Sequence, residues 1–129
     1  MTKKVMSSIL AIFLSLCFIG TGLAMEKGNK RKGKYTYRKV YTACNERGAV
    51  ESPKPNINPD AKTQAQWERL FDGLFEAKKA EGFTFEGYKD FEEFGCAQEW
   101  NALPDEDLID IFTYLYEHAA DSPTPAKCK

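Results

Sequence analysis

From Asp105 to Ala119 the chain opens with three consecutive carboxylates, Asp105, Glu106 and Asp107, and then repeats apolar side chains at Leu108, Ile111, Phe112, Leu115 and Ala119. Spacings of three and four place those apolar residues on one face of a helix, and the carboxylates fall at its N-terminus, where the helix dipole favours negative charge. Pro104, just before them, offers no side-chain cap, which weakens the start of the helix without abolishing it. Such a helix has a face that must be covered, so the rest of the sequence has to supply partners of the same period. It does so twice. Tyr37, Val40 and Tyr41 make a sticky stripe on a segment starting near Gly33, and Trp67, Leu70, Phe71, Leu74 and Phe75 make a second. The spacing therefore predicts three amphipathic helices, each with an apolar face to bury.

The connections are marked by residues that cannot continue a helix. Gly48 is placed to stop the first helix in the left-handed conformation. The stretch 49–59 contains Pro53, Pro55 and Pro59, which lack the donors that any ladder needs. Asn58, Pro59 and Asp60 predict a capped start for the second helix, which runs out toward Gly82. The segment 83–100 is rich in aromatic residues, broken by Gly87 and Gly95, and contains a short helix over 88–94. After His118 the tail 122–128 carries Pro123 and Pro125 and is extended.

Residues 1–24 join a basic start, Lys3 and Lys4, to a short apolar centre and to small residues at the −3 and −1 positions, the pattern of a secretory signal peptide cleaved after Ala24. Cys17 is apolar filler in that segment, because Leu16 precedes it where lipidation wants a small residue. The mature chain, about 105 residues, is one compact domain with no further run long enough to span a bilayer. An exported, periplasmic chain folds under oxidising conditions, so Cys44, Cys96 and Cys128 are read as one disulfide and one free thiol. A proline-stiffened tail ending in cysteine suggests a tether. Bridging Cys96 to Cys128 clips the last helix in place, worth roughly 3 kcal/mol in the chain-entropy model; this pairing is expected over the two others, leaving Cys44 free. Residues 25–47 carry eight Lys and Arg against two Glu, whereas the remainder after Arg47 carries eight basic and seventeen acidic residues. The basic arm over 25–32 is expected to be disordered, with the folded domain spanning 33–129. No interleaving of aromatic and basic residues marks a nucleic-acid face.

The stretch Gly33-Lys34-Tyr35-Thr36-Tyr37-Arg38-Lys39-Val40-Tyr41-Thr42-Ala43-Cys44-Asn45 resembles the first helix and haem-attachment turn of the small single-haem bacterial cytochromes c, whose usual form is Gly-Lys, an aromatic about four residues on, and Cys-x-x-Cys-His. Here Tyr41 stands at the first cysteine, Cys44 at the second and Asn45 at the histidine. The segment Leu103–Leu115 resembles the last helix of the same family. The resemblance implies an all-α domain of three to four helices in which the first and last cross, and a site at Cys44 that is a relic. Tyr41 cannot form a thioether to a haem vinyl group, and Asn45 is a poor substitute for the imidazole that ligates iron. The loop before the last helix has neither Met nor His for the second axial position. The aromatic side chains over 83–100 are expected to fill volume that a porphyrin would take.

Other chemistry is thinly supplied. His118 is the only histidine, and its place in the last turn of a helix suits a dipole-stabilising role better than a catalytic one. With two cysteines paired, Cys44 and His118 do not complete a metal set, leaving His118 a remote candidate. No carboxylate pair or phosphate-binding loop stands out, so no enzymatic activity is expected. The functional expectation is an exported cytochrome c-like protein without haem, a binding or accessory partner for a redox protein or cytochrome. Two alternatives differ from it in kind: an electron carrier holding haem through Cys44, with His118 or a lysine at iron, and a thiol-reactive protein using Cys44.

Overall fold

The computed structural model describes residues 27–125, and the signal segment and Cys128 lie outside them. Among the described residues the protein is all-α, with helices α1 (Lys30–Glu46), α2 (Gln64–Lys78), α3 (Ala97–Asn101) and α4 (Asp105–Glu117) and no strand. Short 3-10 turns at Pro59–Ala61, Phe85–Gly87 and Lys89–Phe94 complete the regular structure. No helix among the described residues is long and apolar enough to cross a membrane.

The first and last long helices pack directly on each other, as the sequence implied. They come into close contact at Gly33, where an added Cβ would overlap the Asp110 carbonyl and come 2.9 Å from the Ile111 nitrogen. Only glycine allows the two backbones to meet there. From that point Tyr37, Val40, Tyr41 and Cys44 of α1 bury against the α4 face formed by Leu108, Ile111, Phe112 and Leu115. The apolar stripe of α2 covers the same core with Trp67, Phe71 and Leu74 fully buried, while Leu70 and Phe75 sit at its margin.

Several helix starts differ from expectation for the same reason, the satisfaction of orphan N–H groups. The helix α1 begins three residues before Gly33 because Asn29 caps it, accepting from the backbone N–H groups of Arg31 and Lys32. The segment expected as a disordered arm is, from Lys27 on, docked on α4. Gly28 N–H donates to Thr113 Oγ1 at 2.6 Å and Asn29 N–H to Asp110 Oδ1 at 2.7 Å. That bond gives the buried Asp110 carboxylate a partner, and Lys32 Nζ lies 3.8 Å from its other oxygen. Asn58 opens only the turn Pro59–Ala61 and makes no side-chain cap. The cap of α2 is Thr63, which forms a reciprocal capping box with Gln66. The short helix expected over 88–94 is the 3-10 turn Lys89–Phe94.

The proline-rich loop between α1 and α2 has few donors, and side chains from the helices bind its carbonyls instead. Tyr37 Oη donates to Ile57 O at 2.6 Å, Asn45 Nδ2 to Val50 O at 3.0 Å, and Trp67 Nε1 to Pro59 O at 2.8 Å. The loop is thereby fixed without a ladder of its own.

Aromatic rings connect all these elements. Tyr41 meets Tyr37 edge-on at 5.6 Å, Tyr37 meets Trp100 of α3 at 6.1 Å, and Trp100 meets Phe91 edge-on at 5.5 Å. Phe91 then reaches Phe71 of α2 at 5.6 Å, and Phe71 reaches Phe112 of α4 at 5.4 Å. Each buried ring of this size removes apolar area worth roughly 1.5 to 3 kcal/mol, so this chain of contacts is a main source of the core's cohesion.

Candidate functional site

The candidate site is the C-terminal end of α1, where Tyr41, Cys44 and Asn45 occupy the positions singled out by the attachment motif. Each has a structural partner. Tyr41 is 1 % exposed and its hydroxyl donates to Phe94 O at 2.8 Å; burial pushes its phenol above the ordinary tyrosine range. Asn45 ties α1 to the loop through the Val50 carbonyl. Cys44 is 0 % exposed and forms a disulfide with Cys96, the two Cα atoms 5.7 Å apart and the residues 52 apart in sequence.

This disulfide corrects two expectations. Cys96 does not pair with Cys128, and Cys44 is not a free thiol. The physical reason lies in the 83–96 segment. Phe91 and Phe94 enter the core, the Phe94 carbonyl is held by Tyr41, and two successive positive φ angles, 62° at Gly95 and 56° at Cys96, turn the chain into α3. Cys96 is thus brought to the end of α1. A signal for this was present in the sequence: Cys44 continues the stripe Tyr37–Val40–Tyr41 by one further helical step, which predicts burial beside the core.

Two residues that sequence reasoning did not select complete the corner. Arg47, the residue that ends α1, donates from Nε and Nη2 to the Glu99 carboxylate at 2.9 and 2.8 Å, and its Nη2 lies 3.9 Å from Cys44 Sγ. The paired, charge-assisted hydrogen bonds hold the Glu99 carboxyl below the usual carboxylate range. The two sulfurs and a Glu99 oxygen all lie within 4.8 Å of one another. Cys96 also lines a cleft of about 440 Å³, walled by Phe85, Tyr88, Phe91 and Trp100.

His118 takes no part in this cluster. It ends α4, its ring packs on Tyr114 at 5.3 Å, and its Nδ1 donates to the Thr124 carbonyl at 2.8 Å. Because a carbonyl only accepts, that bond assigns the proton to Nδ1. The histidine therefore anchors the start of the tail.

The residues that the sequence resemblance sets at an attachment position do not fit a covalently held haem. The one sulfur available there is bonded to Cys96, the phenol at the other anchor position is bound to Phe94, and the amide at the ligand position is bound to Val50. Comparisons with protein-family models, with curated proteins and with solved structures found no match for this chain.

Proposed function

We propose that this chain is an exported, haem-free protein of cytochrome c-like design that serves as a binding or accessory partner in a periplasmic redox system. The observation that carries the reading is the use of the relic attachment turn for cohesion: Tyr41, Cys44 and Asn45 each close a contact to a different part of the fold. The glycine-mediated approach of α1 to α4 supports the same design, because the resemblance implies that the first and last helices cross. The export signal, read from residues 1–24, supplies the compartment.

The experiment is expression in the periplasm of a host with a working cytochrome c maturation system. The mature protein is expected to be colourless and to carry no haem through denaturing electrophoresis. The double variant Tyr41→Cys with Asn45→His is expected to remain colourless as well, since Cys44 stays committed to Cys96 and the rings from Phe85 to Trp100 occupy the interior. A Soret band together with a covalent haem mass on Cys44 of the unmodified protein would overturn the reading in favour of an electron carrier.

A further inference from the structure

We infer that reduction of the Cys44–Cys96 disulfide converts this corner into a binding site for a thiophilic divalent cation of the zinc class, with Cys44, Cys96 and Glu99 as its protein ligands. The inference does not depend on the haem-free reading. Cys44 and His118 did not complete a metal set in the sequence; the fold supplies a different one by bringing in Cys96 and Glu99. Two thiolates and a carboxylate are a donor set that zinc accepts, and three protein ligands with one open position is a recurrent zinc arrangement. The three donor atoms already lie within 4.8 Å of one another, so once the S–S bond is broken they are grouped closely enough to share one ion.

The surroundings meet the remaining requirements. Charge balances in the closed site: a divalent cation, two thiolates, one carboxylate and the Arg47 guanidinium sum to zero. Arg47 binds both Glu99 oxygens, one with each of two nitrogens, and approaches Cys44 Sγ at 3.9 Å; when the ion binds, one of these hydrogen bonds is exchanged for a metal–oxygen bond and the other keeps the carboxylate oriented. Of the three ligands Cys96 lines the neighbouring cleft, which gives the site an approach from solvent on that side. The chemistry closes in two steps. An external dithiol delivers two electrons to the disulfide, the S–S bond breaks, both sulfurs take protons and the dithiol is itself oxidised to a disulfide. The cation then displaces the two thiol protons and forms two metal–sulfur bonds. Reoxidation by an external disulfide transfers two electrons from the thiolates to that disulfide, which leaves as two thiolates; the Cys44–Cys96 bond re-forms, both metal–sulfur bonds break and the cation is released, so metal binding and the disulfide exclude each other.

The test uses the mature chain carrying Cys128→Ser, which removes the thiol outside the site, with cobalt(II) as a spectroscopic stand-in for zinc. After reduction by a phosphine, which breaks the disulfide without leaving a competing thiol, one equivalent of cobalt should give thiolate-to-metal charge-transfer absorption and the intense d–d bands of a tetrahedral centre, both abolished by zinc. The oxidised protein should give neither. Glu99→Gln should weaken binding at least tenfold, and Arg47→Gln by about ten- to a hundredfold while the charge-transfer band persists. Three results would each overturn the assignment: no charge-transfer band in the reduced protein, equal affinity in Glu99→Gln, or equal affinity when the reduced chain is unfolded in urea.

Discussion

Gly33→Ala tests the contact on which the arrangement of α1 and α4 depends. A new Cβ at this position would overlap the Asp110 carbonyl and crowd the Ile111 nitrogen. Both obstructing groups are backbone of a helix that is also held by α2 through the Phe112–Phe71 contact, so neither can swing aside. Overpacking of this kind typically costs 1 to 3 kcal/mol, and an unyielding backbone places it at about 3 kcal/mol. Against this, alanine gains up to about 1 kcal/mol of intrinsic helix preference over glycine. The net expectation is a destabilisation of about 2 kcal/mol, equivalent to a fall in Tm of about 8 to 16 °C for a domain of this size. Gly73→Ala supplies the control. Gly73 is also inside a helix, but the nearest group to its added Cβ is the Tyr88 hydroxyl at 3.5 Å, an ordinary contact. That variant should gain about 0.5 to 1 kcal/mol. Urea titrations followed by circular dichroism would measure both. If Gly33→Ala proves as stable as the parent protein, the helices do not meet at this residue and the packing argument fails.

Three further outcomes follow from the core and the disulfide. Leu115→Ala, at a fully buried position on α4, should lower stability by about 2 to 5 kcal/mol in the same titration, and a loss below about 0.5 kcal/mol would mean the α4 face is not core. Reducing the disulfide, which closes a loop of 52 residues, should lower stability by about 4 kcal/mol by the chain-entropy estimate; non-reducing peptide mapping should recover Cys44 and Cys96 in one linked fragment. Burial raises the phenols of Tyr37 and Tyr41 in the folded state. Their contribution to stability is therefore fully present below the unfolded tyrosine value of about 10 and is lost as pH climbs above it. Ultraviolet titration should show these two phenols ionising only as the helical circular dichroism signal collapses.

The parts of the fold that repeat locally were legible in the sequence. Leu108, Ile111, Phe112 and Leu115 report their common face by spacing alone, as do Trp67, Phe71 and Leu74, because a helix translates sequence interval directly into direction. The end of α1 was equally plain at Gly48. What stayed hidden depends on distant partners. Asn29 caps α1 and Thr63 caps α2, yet Asn58 and Gly33 offered competing local signals. The partner of Cys96 was misjudged because two prolines in the tail are conspicuous, whereas nothing near Cys96 in sequence announces Cys44 across 52 residues. Arg47 and Glu99 were invisible for the same reason: each is an ordinary surface residue type until the disulfide sets the end of α1 beside α3. Of the candidate site, then, Cys44 was found by motif, and its three neighbours only by tertiary structure.

The position of the disulfide also determines how the molecule responds to a cut. Cys44 precedes the proline-rich loop and Cys96 follows α2 and the aromatic segment, so every residue of that loop is bracketed by the covalent link. Glu51 is exposed within it. A glutamate-specific protease that cleaves there severs the polypeptide but leaves one piece ending at Glu51 bonded through Cys44 to the piece that contains Cys96. The nicked protein should keep its mass on a non-reducing gel after boiling and separate into two fragments only with reductant. A single clip in that exposed loop thus cannot release α1, the helix that packs against α4.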